Sequence, residues 1–260
     1  IRILKEADLI LAEDTRTSGI LLKHFEIKNA MQSHHKFNEH KMVESVVNRI
    51  KAGETVALIS DAGTPGISDP GEELVKMAYE AGIEVTSLPG ACACVTALTL
   101  SGLSTRRFVF EAFLPPDKKE HKLALERLKN ETRTMIVYEA PHHLLKTLRE
   151  LLETLGNRRL TLCRELTKKH ETAWQTTIED AITRYEQEDP KGECVLVIEG
   201  RSQKEIEDEA KAAFEEISIE EHMKRYEDQG IARKEAMKLV AKDRGVTKRD
   251  IYQYLLGKES

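Results

Sequence analysis

The chain has 260 residues, 40% of them apolar and 33% charged, with a formal net charge of −5. That length holds one large domain or two to three small ones with a full core, and the acidic balance excludes a protein that is basic throughout, leaving nucleic-acid binding to local patches. No run approaches the roughly 18 consecutive apolar residues of a membrane span and no signal peptide is present, so no membrane partner is expected.

The chain opens on Ile1 in helical text, from which a processed or truncated start is expected. Leu9-Ile10-Leu11-Ala12 reads as a buried strand and runs into Glu13-Asp14-Thr15-Arg16-Thr17-Ser18, ahead of a helix over residues 19–25. Charge at the carboxyl end of such a strand marks a site edge in open α/β sheets. A helix N-cap by Asp14 or Thr15 explains the same residues, and the two readings are compatible. A short strand over residues 31–35 then leads through Asn38-Glu39 into a helix ending near Ala52.

The densest stretch is Ser60-Asp61-Ala62-Gly63-Thr64-Pro65-Gly66-Ile67-Ser68-Asp69-Pro70-Gly71. It leaves a buried parallel strand over residues 55–59 and enters a helix over 72–81, whose apolar residues recur at helical spacing. Its glycines permit positive φ and close backbone approach, while Pro65 and Pro70 stiffen it. Glu72-Glu73 follow where a P-loop needs Lys-Ser/Thr, and no G-x-G-x-x-G occurs, so both usual phosphate-binding fingerprints are absent. Two carboxylates suit a ligand carrying hydroxyls or a cation. A further strand is expected over residues 83–88, closed by the small-residue turn Pro89-Gly90-Ala91-Cys92-Ala93, the second wall of one cleft.

Strand and helix alternate up to a composition shift over residues 102–107, the mark of a parallel sheet. Beyond it come strand-like runs at 108–114, 135–138, 160–163 and 194–198, with Glu139-Ala140-Pro141-His142-His143 and Arg164-Glu165-Leu166-Thr167-Lys168-Lys169 at two of their ends. The four cysteines, Cys92, Cys94, Cys163 and Cys194, lack zinc-pair spacing, so no metal is expected, and they read as reduced thiols of a cytoplasmic protein. Residues 202–221 are acidic, and residues 222–258 reverse to ten Lys/Arg against five acids. Two apolar stripes separated by Gly245-Val246, with capping patterns at Ser218-x-x-Glu221 and Thr247-x-x-Asp250, resemble a helix-turn-helix. Three units are therefore expected: residues 1–104, 105–201 and 202–260.

Taken in order, Ala12-Glu13-Asp14-Thr15-Arg16, the Asp61–Gly71 loop, Pro89-Gly90, Tyr138-Glu139-Ala140-Pro141-His142 and Arg164-Glu165-Leu166-Thr167-Lys168 resemble the tetrapyrrole-methylase superfamily. Within it the series is similar to the ribosomal RNA small subunit methyltransferase I family over nearly the whole chain, the helical appendage included. The resemblance implies two α/β domains folded around S-adenosylmethionine, a small C-terminal all-helical appendage and a homodimer. It also implies methylation of a cytidine ribose 2′-hydroxyl in the decoding region of 16S rRNA. On the cofactor side it places Asp61, Ala62, Gly63, Ile67, Ala91, Cys92, Ala93, Glu139, Ala140 and Leu166. Toward the substrate it places Glu13, Asp14, Arg16, Asn38 and Glu39. Glu13, Asp14, Arg16 and Glu139 are the candidate catalytic groups, while Arg16, Arg164, Lys168, Lys248 and Arg249 are expected on RNA phosphates. The family pattern differs in three places: a strand and Pro-Thr-Pro-Ile-Gly-Asn loop ahead of the position of Ile1, Gly where this chain has Ala112, and Arg where it has His143. Two other readings are another methylase of the same superfamily with a small-molecule or protein acceptor, and a non-catalytic nucleic-acid-binding regulator.

Overall fold

The computed structural model describes residues 1–35 and 39–256, and among them the chain forms two sheets and a terminal group of helices. Helix α1 (Arg2–Glu6) leads into β1 (Leu9–Ala12), α2 (Thr15–His24), β2 (Ala30–Ser33), α3 (Glu39–Lys51), β3 (Val56–Ile59), α4 (Glu72–Glu80) and α5 (Ala93–Ser101). The three strands pair in parallel in the order β2-β1-β3. Central β1 is buried at all four positions, which is why its text is an unbroken apolar run. Leu9 and Leu11 pack on one face with Val43, Val46 and Leu74, and Ile10 packs on the other with Leu22 and Ile27.

Helix α2 starts four residues before the position read from the sequence. Asp14 caps it by accepting from the Arg16 amide at 2.8 Å, so Thr15, Arg16, Thr17 and Ser18 form its first turn. The strand expected over residues 83–88 is corrected: this backbone joins no ladder. Apolar alternation makes a strand only where an edge is offered for pairing. Here Ile83 satisfies its burial by packing beside Leu9 and Leu74 while the backbone runs extended and unpaired.

The second sheet takes β4 (Phe108–Phe113), β5 (Thr134–Glu139), β6 (Arg159–Arg164), β7 (Thr172–Thr177) and β8 (Cys194–Ile198) in the order β4-β5-β8-β6-β7. Only β4 and β5 are parallel; β8 inserts antiparallel between β5 and β6. Helices α6 (Lys118–Lys129), α7 (Leu144–Leu155) and α8 (Ile178–Tyr185) cover one face with Leu125, Leu148, Leu151 and Ile182. The opposite face takes α5, whose Cys94, Ala97 and Leu98 pack on Ile136, Cys163, Val195 and Val197. The last helix before the connector at 102–107 thus belongs by packing to the second sheet.

Helices α10 (Ile219–Glu227), α11 (Arg233–Arg244) and α12 (Lys248–Leu256) share a separate core of Met223, Ala236, Val240, Ala241 and Ile251, and α9 (Gln203–Glu215) joins them through Phe214, stacked on His222. Gly245 at φ 65° turns α11 into α12, and the Thr247–Asp250 pair bonds in both directions, amide to side chain. The α/β class with a helical C-terminal appendage is therefore as the sequence implies.

Candidate active site

The carboxyl ends of β1 and β3 lie side by side, because Ala12 and Ile59 are in register. Each strand delivers two polar residues to the same edge: Glu13-Asp14 and Ser60-Asp61. The Asp14 amide donates to Asp61 Oδ1 at 3.2 Å, and the Ser60 hydroxyl lies 2.6 Å from Asp69 Oδ2 and 3.3 Å from Glu13 Oε2. A hydroxyl has one proton, so the short contact identifies Asp69 as its acceptor. Burial raises the Asp69 pKa against the lowering effect of the Ser60 bond, with the Asp61 and Glu193 charges adding to the rise. Arg16 grips Asp14 bidentately, Nη2 to Oδ2 at 2.7 Å and Nε to Oδ1 at 3.1 Å. These bonds hold the Asp14 carboxyl near a pKa of about 2.

The loop over residues 60–71 folds against the turn over 89–91. Thr64 Oγ1 donates to the Ala91 carbonyl at 2.9 Å. Gly63, at φ 84°, lies so close that a Cβ would stand 3.3 Å from that same oxygen. Gly71 is more constrained, since at φ 142° an added Cβ would meet Leu58 Cδ2 at 2.7 Å. Asp61, Ala62, Gly63 and Ile67 remain exposed, as do Ala91 and Ala93. A rigid, solvent-facing shelf of backbone and small side chains results.

Helix α5 carries this shelf onto the second sheet. The Cys94 amide, in its first turn, donates to the Tyr138 hydroxyl at 2.9 Å. Partly buried Cys92, Tyr138 and Leu166 meet around Cys94 and Cys163. Burial pushes the Cys94 thiol up to about 11, and Cys92 Sγ lies 3.3 Å from its sulfur. At the end of β5, Glu139 is buried and both its oxygens are taken: Thr147 Oγ1 donates at 2.6 Å and the Ala140 amide at 2.7 Å. Glu139 therefore fixes the 139–140 turn to α7 and does not present a free carboxylate.

After β6, Glu165 and Thr167 adopt left-handed backbone at φ 50° and 63°. Non-glycine residues tolerate this only where surrounding bonds over-determine it. Those bonds are the Glu193 amide and Lys168 Nζ, 3.0 and 3.1 Å from Glu165 Oε1, with Lys168 also 2.9 Å from Glu193. Arg164 is half-buried beside this loop.

The contacts bring Asp14, Arg16 and Asp61 together at the β1–β3 edge with Glu13 beside Ser60, join the Asp61–Gly71 loop to Ala91 through Thr64, and set Cys92 and Leu166 on one apolar cluster, while Ala140 is tied to Glu139 at the end of β5. Asn38 lies outside the described residues, and Glu39 is the first residue of α3. Lys248 and Arg249 open α12 on the appendage. Sequence reasoning missed Tyr138 as the partner of α5, Thr147 as the partner of Glu139, and the Ser60–Asp69 pair. The last was legible as polar residues bracketing the glycine loop.

A family model described as Tetrapyrrole (Corrin/Porphyrin) Methylases matches residues 1–182. A ribosomal RNA small subunit methyltransferase I of Halalkalibacterium halodurans is 47% identical over 97% of this chain and 86% of its own length. That of Synechocystis sp. is 43% identical over the whole chain and 92% of its own. The chain belongs to the ribosomal RNA small subunit methyltransferase I family. Among solved structures, the fold of uroporphyrin-III-C-methyltransferase from Thermus thermophilus aligns at a TM-score of 0.52 and 20% identity, over 75% of this chain and 84% of that one. Cobalt precorrin-4 methyltransferase aligns at 0.52 and 17%, over 75% and 85%. These two share the fold of this chain over the aligned part. No described helix is long and apolar enough to cross a membrane.

Proposed function

We propose that this chain transfers the methyl group of S-adenosylmethionine to a cytidine ribose 2′-hydroxyl in the decoding region of 16S rRNA, acting as a cytoplasmic homodimer. The observation that carries the reading is the run of contacts from the 60–71 loop through the Ala91 turn and the start of α5 to Tyr138 and Leu166, in a chain of this family. The cleft suits the cofactor chemically. Gly63 leaves its backbone open to a ligand, Asp61 offers a carboxylate to a hydroxyl or ammonium, and Cys92 and Leu166 give apolar walls. When bound, the cofactor supplies an electrophilic methyl on a sulfonium.

The chain's own residues then have separable tasks. Asp61, Ala62, Gly63, Ile67, Ala91, Cys92, Ala93, Ala140 and Leu166 orient the cofactor, and Glu139 acts as a positioning residue through the 139–140 turn. Positioning supplies much of the acceleration in a direct displacement. Of the carboxylates at strand ends, Asp14 is too acidic to take a proton near neutrality, Glu139 is enclosed, and Glu165 is held by Lys168 and the Glu193 amide. Glu13, whose carboxylate meets only the long Ser60 contact among the described residues, is left to assist proton removal from the ribose hydroxyl. Arg16, exposed beyond its bond to Asp14, is assigned with Arg164 and Lys168 to the RNA.

Calorimetric titration with S-adenosylmethionine, followed by methyl transfer to small ribosomal subunits, tests this. Glu13→Gln should lower kcat by about 10²-fold or more while cofactor affinity holds. No cofactor binding by the unaltered chain overturns the methyltransferase reading. A Glu13→Gln rate equal to that of the unaltered chain removes Glu13 from the chemistry.

A further inference from the structure

At the end of the second sheet opposite the cleft, a concavity of about 520 Å³ collects Arg106, Arg107, Arg133, Arg159 and Arg201 against one lining acid, Glu199. Four separate segments build it: the connector from α5 to β4, the turn before β5, the first residue of β6, and the passage from β8 into α9. Its framework is rigid. A Cβ on Gly200 would stand 2.3 Å from the Thr132 carbonyl oxygen, and the Arg201 amide donates to Glu131 O at 2.7 Å.

The cations fall into two groups. Arg133 and Arg159 are bound to Glu131 and Glu199, and Arg201 to Asn130 and Glu209. These three are oriented and partly neutralised. Arg106 and Arg107 are exposed and make no ion pair or hydrogen bond among the described residues. Behind the wall, buried Arg158 donates only to main-chain carbonyls, of Leu155, Lys129, Glu131 and Glu199. Its charge has no carboxylate partner within ion-pair distance among the described residues, so it adds to the potential at the surface. A concave, low-dielectric wall with an excess of guanidinium groups attracts phosphate, and the arginine fork matches phosphate oxygens.

We propose that this arginine groove holds the phosphate backbone of an RNA segment, as a second contact separated from the methyl-transfer cleft. The separation is about 17–20 Å, the length of a six-residue strand such as β5. One acceptor strand would be gripped at two points, with register set at the cleft and affinity supplied at the groove. The choice of RNA among polyanions rests on the function proposed above; the groove itself rests on its arginines.

The test compares the unaltered chain, R106E/R107E, and a charge-matched control, K5E/K51E, with both lysines exposed on the first half. Each is titrated with a short fluorescent single-stranded RNA over a range of salt, with S-adenosylmethionine, and with inorganic tripolyphosphate. R106E/R107E should bind RNA at least about tenfold more weakly, and its log affinity against log salt should flatten by about 1.4, the value for two lost contacts. Its cofactor affinity should stay unchanged, and the control should bind RNA within about twofold of the unaltered chain. RNA affinity and slope unchanged in R106E/R107E would overturn the groove, as would no RNA binding by the unaltered chain or an equal loss in the control. Tripolyphosphate binding lost in R106E/R107E with RNA affinity unaltered would make this a small-polyanion site and overturn the RNA assignment. Failure of cofactor binding in all three proteins sinks the methyl-transfer reading and leaves the RNA comparison standing.

Discussion

At the scale of single residues, the cleft is held by polar groups that are buried and paired. Glu139 is the clearest case, because removing one partner strands a carboxylate oxygen away from water. Thr147→Val keeps the shape of the side chain and deletes the hydroxyl. Chemical denaturation should show a loss of about 1–3 kcal/mol, with weaker cofactor binding as the 139–140 turn loosens. A second residue-scale expectation concerns acid. The Arg133 guanidinium beside Glu131 holds its carboxyl down to about 2. A depressed carboxyl contributes stability above its unfolded pKa and loses it as pH falls through the folded value. Between about pH 4.5 and 2 the midpoint of thermal unfolding should therefore drop more steeply in the unaltered chain than in Glu131→Gln; parallel curves would show that the pair does not contribute.

Elements show where sequence text and structure part company. Ala112 stands where the family pattern has glycine, and the structure gives the reason for that pattern: it sits at φ 53° in a bulge, where β4 slips register between Phe110 and Ala112. A left-handed alanine costs about 1–2 kcal/mol. Ala112→Gly should recover part of that, about 1 kcal/mol by denaturation, unless the added freedom of the unfolded chain cancels the gain. Buried β1, the capped start of α2 and the paired cap of α12 were all legible, since each depends on neighbours in sequence. The extended, unpaired course of residues 83–88 was not, because pairing depends on which edge the fold offers. The packing of α5 across the connector was hidden for the same reason. Its small apolar residues fit either sheet, and only topology decides between them.

For the whole molecule, basic groups occur at the cleft rim, in the arginine groove and on the appendage, while the net charge stays negative. Association with a ribosomal particle should then be salt-sensitive through local patches. Reversing Lys248 and Arg249 together should weaken binding to small subunits about tenfold and leave cofactor affinity untouched. Subunit affinity unchanged in that variant would remove the appendage from the RNA surface. The site was legible as a set of loops, each at a predicted strand end. Which carboxylates stay available was not, because that depends on how the local turns aim Arg16, Thr147 and Lys168 back at Asp14, Glu139 and Glu165.

The place of β8 in the second sheet sets the order in which this protein can be made. The central strand of that sheet is the last to be synthesised, and the inner face of α5 needs Val195 and Val197 to cover it. A nascent chain stopped before Cys194 has β5 and β6 with a vacant lane between them and α5 with part of its apolar face wet. Long-range pairing of this kind is slow and prone to association while it waits. Ribosome-bound chains halted just short of β8 should therefore be cut readily within α5, and protection should arrive abruptly once residues 194–198 have cleared the exit tunnel.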